Sequence, residues 1–498
     1  MKRTTSILLL MAMLAAVSCG EASTNADTTA STDSATATTA APVEEGIPEP
    51  ELPELDFGGE EFTFLMRGRD ASSYAQKHIY TEEQNGEIIN DTVFARNSAT
   101  EEKFNIVIKA VENNSDSGAY DAARQYVLSN DPTIDVINIA GYKLGGLVTE
   151  HMLVDFQTVP HINLDAEYWD QNAIDQLMIA NKIYIMQNDI TVSSASNARL
   201  LYYNRTLAEK YQLDDPYDLV QENKWTLDTF FGMIQSISSD LDGDGKFDEH
   251  DQYGMLSEWS EYNGTILHLM AGCGVRQTVS DADGLPMIDI MNDKVDDIIT
   301  RAYEALENND YAISYQELSN TADITGFPHV FDYARSLFAG GQFLFVQNGS
   351  EITVQFTNME DDYGIAPNPK YDESQESYYH LVDKCACMFA IPISAGDLER
   401  IGAVMEYMAW HSNKTLLPAF YEVTLEGKRL RSEHDVEMLE LVKETTFYEF
   451  SDYYNIGLAN IIWSAYEGGG NLASAYARQE KMMQIKLDKL IKTVSEAE

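Results

Sequence analysis

The stretch Asp240-Leu241-Asp242-Gly243-Asp244-Gly245-Lys246-Phe247-Asp248-Glu249-His250-Asp251 has the residue types and spacing of a cation loop. Carboxylates stand at positions 1, 3, 5, 9 and 12, with glycine at 6 and an apolar residue at 8. A chain so built can curl round one hard cation and offer oxygens from successive directions. The expected ligands of a structural Ca2+ are Asp240, Asp242, Asp244, the Lys246 carbonyl, Asp248 and Asp251. Position 12 is an aspartate where a longer glutamate would reach with both oxygens, which points to modest affinity. A solvated acidic turn without metal is the alternative. The sequence contains one such loop, which suits a structural clip better than a sensor. It has no Gly-x-Ser-x-Gly elbow, His-Glu-x-x-His pair or Gly-x-x-x-x-Gly-Lys loop. The run Gly468-Gly469-Gly470 lacks a strand before it and a lysine after it, and reads as a loop.

The termini and composition restrict the setting. Lys2 and Arg3 precede an apolar run over 7–17, the form of an export signal and too short to span a membrane. Ala16-Val17-Ser18-Cys19 resembles a bacterial lipobox, with Ala16 where leucine is usual. That resemblance implies a diacylated Cys19 as the mature N-terminus; an ordinary secretory signal is the alternative. Residues 20–55 carry no lysine or arginine and are dominated by Ala, Ser, Thr, Glu and Pro, too polar to bury a core. The expected boundaries are therefore 1–18 for the signal and 19–55 for a disordered tether. Acidic residues number 81 against 33 basic, a formal charge of −48, which excludes nucleic acid as a partner and favours neutral or cationic ligands. Beyond Cys19 the chain has Cys273, Cys385 and Cys387, an odd number that cannot form a complete disulfide set. Cys385 and Cys387 would share a face of one strand as small core residues.

After residue 56 short β-branched or aromatic runs alternate with amphipathic stretches. Apolar runs at 62–66, 106–108 and 134–139, separated by helix-like segments at 88–104 and 120–128, predict parallel strands joined by right-handed crossovers. Further strands are expected at 183–186, 200–203, 342–346, 363–366 and 385–391. Leu227, Phe230, Phe231, Ile234 and Ile237 fall on one helical face, with Thr226 placed to cap it. About 440 residues exceed what one core usually serves, so two lobes are expected.

At this point the chain resembles the bacterial extracellular solute-binding proteins of ABC importers, of the carbohydrate-binding family 1 type. The resemblance rests on Asn85-Gly86-Glu87-Ile88-Ile89-Asn90-Asp91 leading to Arg96-Asn97, on Tyr217-Asp218-Leu219-Val220 with Lys224-Trp225-Thr226-Leu227-Asp228, and on the acidic loop followed by Tyr253-Gly254. It continues through Tyr363-Gly364-Ile365-Ala366-Pro367. It implies an α/β, two-lobed periplasmic-binding-protein-like (type II) fold with a hinge. Lobe I would comprise 56–196 with a return segment at about 325–365, and lobe II 197–324 and 366–498. It further implies a monomeric lipoprotein on the outer face of the membrane, holding a carbohydrate in the cleft and docking on permease subunits. A secreted glycoside hydrolase-like enzyme is the alternative, although with 81 carboxylates a pair of acids near a cleft carries little information.

Sugars are held by aromatic faces and planar polar groups. Loops after strands, where such clefts lie, supply Arg67, Asp70, Tyr142 and Asp189. Trp169 and Trp259 are the expected stackers, with Tyr379 and Trp463 as further lining. Trp225 and Trp410 lie in apolar helical patterns and are expected in the core.

Overall fold

The computed structural model describes residues 47–71, 75–260, 264–307, 310–349, 356, 359–426 and 433–496. The expected signal, Cys19 and the tether up to residue 46 lie outside these. The chain divides at Pro48, and the body is Glu49–Glu498. It starts earlier than the expected tether end at 55: Glu49 already pairs with Lys103 (2.8 Å), and the Phe57 N–H donates to the Phe104 carbonyl.

Two mixed sheets organise the body. In the first, Glu60–Arg67 lies between Ile106–Asn113 and Val136–Ala140, parallel to both, and Cys387–Ala390 runs antiparallel along Val136–Ala140. In the second, the order is Tyr363–Ala366, Leu200–Asn204, Phe343–Asn348, Gln252–Ser257, Ser238–Ser239, and Ala312–Ser314 also pairs with Gln252–Ser257. Phe343–Asn348 and Ala312–Ser314 run parallel to Gln252–Ser257, so their C-terminal ends share one edge.

This corrects the expected return of the chain to lobe I. Phe343–Asn348 is central to the second sheet, and the strand that rejoins the first is Cys387–Ala390. Both are buried at every position, so neither carries a face pattern that could assign it to a sheet. Helix Leu398–Lys414 also belongs with the first sheet rather than with lobe II: Arg400 pairs with Asp135 (2.7 Å) and Tyr407 packs edge-on against Phe104. The expected strand at 183–186 makes only an isolated bridge, Met186 to Phe389.

Local chemistry sets the helices. Thr226 caps Leu227–Gln235, which buries Leu227, Phe230, Phe231, Met233 and Ile234. Glu87 caps Ile88–Phe104 by accepting from the Ile89 and Asn90 amides. Asp91 accepts from Asn85 and Gly86, where Gly86 takes φ +84°. The Asn85–Asp91 block thus forms the entry of this helix.

Three stretches run side by side where the chain passes between the sheets. The Asp383 N–H donates to the Asn197 carbonyl and the Arg199 N–H to the Leu381 carbonyl, while His380–Leu381 pairs parallel with Thr446–Phe447.

Candidate functional site

The C-terminal edges of the two sheets each end in a polar group, and the crossing stretches connect them. On the first sheet, Arg67 closes its strand, is buried, and forms an ion pair with Asp116 at the start of helix Asp116–Leu128. The Tyr142 hydroxyl donates to Asp116 Oδ2 (3.1 Å), and the Tyr142 N–H donates to the Lys384 carbonyl (3.0 Å). On the second sheet, Arg199 stands just before Leu200–Asn204. It donates to Asp383 Oδ2 (2.6 Å) and Asn348 Oδ1 (3.3 Å), and its Nη1 lies 3.6 Å from Glu258. Asp383 and Lys384 therefore link the edges, and Lys384 also faces Asp452 (3.8 Å).

Glu258 lines a cavity of about 380 Å³ together with Trp259, Ser260, Tyr315, His329 and Phe331. The Trp259 ring is half-buried and meets Trp463 edge-on (5.7 Å). Its Nε1–H has no acceptor among the described residues. Close by in helix Thr265–Gly272 is His268, buried, with neither ring nitrogen hydrogen-bonded among the described residues. Burial and the Arg199 charge pull its pKa down to about 3, so it is neutral.

Of the residues expected to bind, Arg67, Tyr142, Trp259 and Trp463 stand at these two edges. The others do not. Trp169 is fully buried, its Nε1–H donating to Glu406 Oε2 (2.8 Å) beside the Tyr168 hydroxyl on Oε1 (2.5 Å), and it offers no face to a ligand. Asp189 accepts from Asn413 (2.7 Å), and its own N–H donates to the Tyr168 carbonyl, which fixes it as a structural group. Asp70, three residues past Arg67, is exposed, and Tyr379 packs against both Phe447 and the Arg276 guanidinium. Trp225 is core as expected, donating to the Pro367 carbonyl (2.8 Å), whereas Trp410 is only partly buried. Sequence reading missed Asp116, Arg199, Tyr315 and Asp383, and did not single out Glu258 beside Trp259. Position alone could have found Arg199 and Asp116, because each is the charged residue flanking a strand at a sheet edge.

In the acidic loop the carboxylates of Asp240, Asp242 and Asp244 come within 4.8 Å of one another. Gly243 and Gly245 take φ +74° and +79°, and both donate to Asp240. Asp251 is buried, and its two oxygens accept from the Leu241 and Asp248 amides (2.8 and 3.0 Å), which closes the loop at its base. The donor set, all hard oxygen, fits Ca2+. Cys273, Cys385 and Cys387 are free thiols.

Desolvation pushes the carboxyls of Glu258, Glu449 and Asp189 up to about 7. Above about pH 6.5 the unfolded chain has already lost these protons while the folded chain keeps part of them. Unfolding then releases protons, so stability falls as pH rises through the folded pKa. The protein is expected to be more stable at pH 6.5 than at pH 8, by about 1–2 kcal/mol, measured by urea unfolding in matched buffers. Equal stability at the two pH values would contradict these assignments.

A family model for bacterial extracellular solute-binding proteins matches residues 96–425. The fold is similar to that of the galacto-N-biose-/lacto-N-biose I-binding protein of the Bifidobacterium longum ABC transporter, with TM-score 0.57 and 11% identity over 87% of this chain and 98% of that one. It is likewise similar to the ABC substrate-binding protein Lmo0181 from Listeria monocytogenes in complex with cycloalternan (TM-score 0.53, 12% identity, 88% and 99% covered). The maltose/maltodextrin-binding domain MalE from Bdellovibrio bacteriovorus bound to maltotriose gives TM-score 0.52 and 12% identity, with 87% and 100% covered. At these identities the likeness is one of fold: α/β, two-lobed and type II. No curated protein matches the sequence.

Proposed function

The chain belongs to the family of bacterial extracellular solute-binding proteins, and from that premise we propose that it captures a carbohydrate, an oligosaccharide, outside the cell and passes it chemically intact to the permease of an ABC importer. The observation that carries this reading is the cavity walled by Trp259 at one sheet edge, joined through Arg199, Asp383 and Lys384 to the Arg67–Asp116–Tyr142 cluster at the other. An aromatic face covers the apolar side of a sugar ring, and the flanking polar groups reach its hydroxyls. Crossing stretches between two lobes permit hinge closure, a change of state that a permease can recognise. The structural relatives described above are in complex with cycloalternan, maltotriose and lacto-N-biose, which agrees with this ligand class.

The protein is expected to gain thermal stability with one class in an oligosaccharide panel, and Trp259→Ala to lose that gain while keeping its unliganded melting temperature within a few degrees. A gain that survives the substitution would move the site elsewhere.

Cys19 is read as the acylated anchor, which holds the protein at the outer face of the membrane; no described helix is long and apolar enough to cross it. The acidic loop is read as a Ca2+ clip formed by Asp240, Asp242, Asp244, the Lys246 carbonyl and Asp248, with Asp251 closing its base. Three carboxylates so close repel one another without a cation. A chelator is therefore expected to lower the melting temperature, by the equivalent of about 2.7 kcal/mol where free Ca2+ stands at 100 times its dissociation constant. Asp242→Ala should melt alike in calcium and in chelator. An unchanged melting temperature for the unaltered protein in chelator would end the assignment.

A further inference from the structure

One residue of the cavity is an acceptor without a hydrogen-bond donor among the described residues. Glu258 is the first residue past strand Gln252–Ser257 and lies on the cavity wall with its side chain 13% exposed. Its backbone is fixed on both sides by Thr265, whose hydroxyl accepts the Glu258 N–H (2.9 Å) and whose N–H donates to the Glu258 carbonyl (2.9 Å). The carboxylate accepts no hydrogen bond from the described residues. Its nearest cation, Arg199, is 3.6 Å away and commits its shorter contacts to Asp383 (2.6 Å) and Asn348 (3.3 Å). The other charged groups that act on it are Asp383 and Arg335, with the Tyr315 phenol and the His329 ring on the same cavity. Next to it on the wall, the Trp259 Nε1–H is a donor without an acceptor among the described residues.

A buried carboxylate costs free energy until donors reach it, and one Arg shared unequally leaves that cost largely unmet. We propose that Glu258 is the specificity-determining residue of the site, accepting hydrogen bonds from hydroxyl or ammonium groups of the saccharide and thereby excluding saccharides that carry a carboxylate. The inference rests on the carbohydrate reading and narrows it. It has a proton signature. Glu258 holds its proton up to about pH 7, and donors from a ligand favour the ionised form, so binding near pH 7 expels about half a proton per saccharide.

The test uses three linear trisaccharides: maltotriose (neutral), triglucosamine (cationic) and trigalacturonate (anionic). Thermal shift of the unaltered protein is expected with the neutral or the cationic member and not with the anionic one. Glu258→Gln should weaken the stabilising member roughly tenfold or more, the worth of a charged hydrogen bond, and narrow the discrimination against trigalacturonate. Calorimetry on the unaltered protein at pH 7, with the stabilising trisaccharide in phosphate and in Tris, should give different apparent enthalpies because the expelled proton is taken up by the buffer. Trigalacturonate binding as well as maltotriose, or equal enthalpies in the two buffers, overturns the role of Glu258 and leaves the carbohydrate reading standing. If none of the three shifts the protein, the carbohydrate reading fails and the role of Glu258 with it.

Discussion

Arg96→Ala is expected to cost about 3–5 kcal/mol of stability. Arg96 is fully buried on the inner face of helix Ile88–Phe104. Its Nη1 donates to the Ile190 carbonyl (2.7 Å) and Ser412 Oγ (3.1 Å), and its Nη2 donates to the carbonyls of His78 and Ile79 (both 2.9 Å) and to Asn97 Oδ1 (2.8 Å). No carboxylate is among these partners. Desolvation lowers its pKa to about 9, so it stays charged at neutral pH and dipoles alone hold the charge. Truncation leaves the Ile190 and His78 carbonyls without their donor, while Ile79 keeps the Asn97 Nδ2–H (2.9 Å), and opens a cavity. Arg96→Lys should recover little, because a point ammonium cannot span the same fork. Urea unfolding is the measurement, and a loss below about 1 kcal/mol would contradict the cage.

The second large effect is expected at Asp383, which is buried in the crossing stretch and takes the short contact from Arg199. Asp383→Ala removes the shortest contact of the Arg199 guanidinium, a buried ion pair, and the acceptor that fixes the Cys385 amide (2.9 Å). A loss of about 3–5 kcal/mol follows from breaking a buried ion pair by removing one partner. Because this pair joins the two sheet edges, saccharide affinity should fall with stability, while a change of equal cost far from the crossing, such as Arg96→Ala, should leave the affinity of the folded fraction intact. Urea unfolding combined with calorimetry on the folded protein separates the two. Unchanged affinity in Asp383→Ala would detach the crossing from binding.

The strands were legible because apolar runs bounded by polar turns need no partner to be recognised; Glu60–Arg67, Ile106–Asn113, Val136–Ala140 and Leu200–Asn204 all fall where the pattern put them. Which sheet received Phe343–Asn348 was not legible, since a strand buried on both faces looks the same in either. Trp169 shows the same limit from the other side. It was expected to stack on a ligand, yet Glu406, more than 200 residues on, supplies the buried acceptor that makes it core. Arg96 and the Asn85–Asp91 block could be read as a family pattern but not as structure, because their partners are backbone carbonyls and amides that no sequence spacing announces. The acidic loop was the opposite case: its groups come from one short segment, and the turn geometry at Gly243 and Gly245 follows from local chemistry alone.

The most direct test of a receptor that binds a sugar and releases it unchanged is equilibrium dialysis of the purified protein against an oligosaccharide mixture, with the retained fraction identified by mass. Retention of one saccharide class at one molecule per chain, with its mass unaltered after prolonged incubation, is the predicted result. Recovery of shortened glycans, or no retention above that of the buffer compartment, would contradict it.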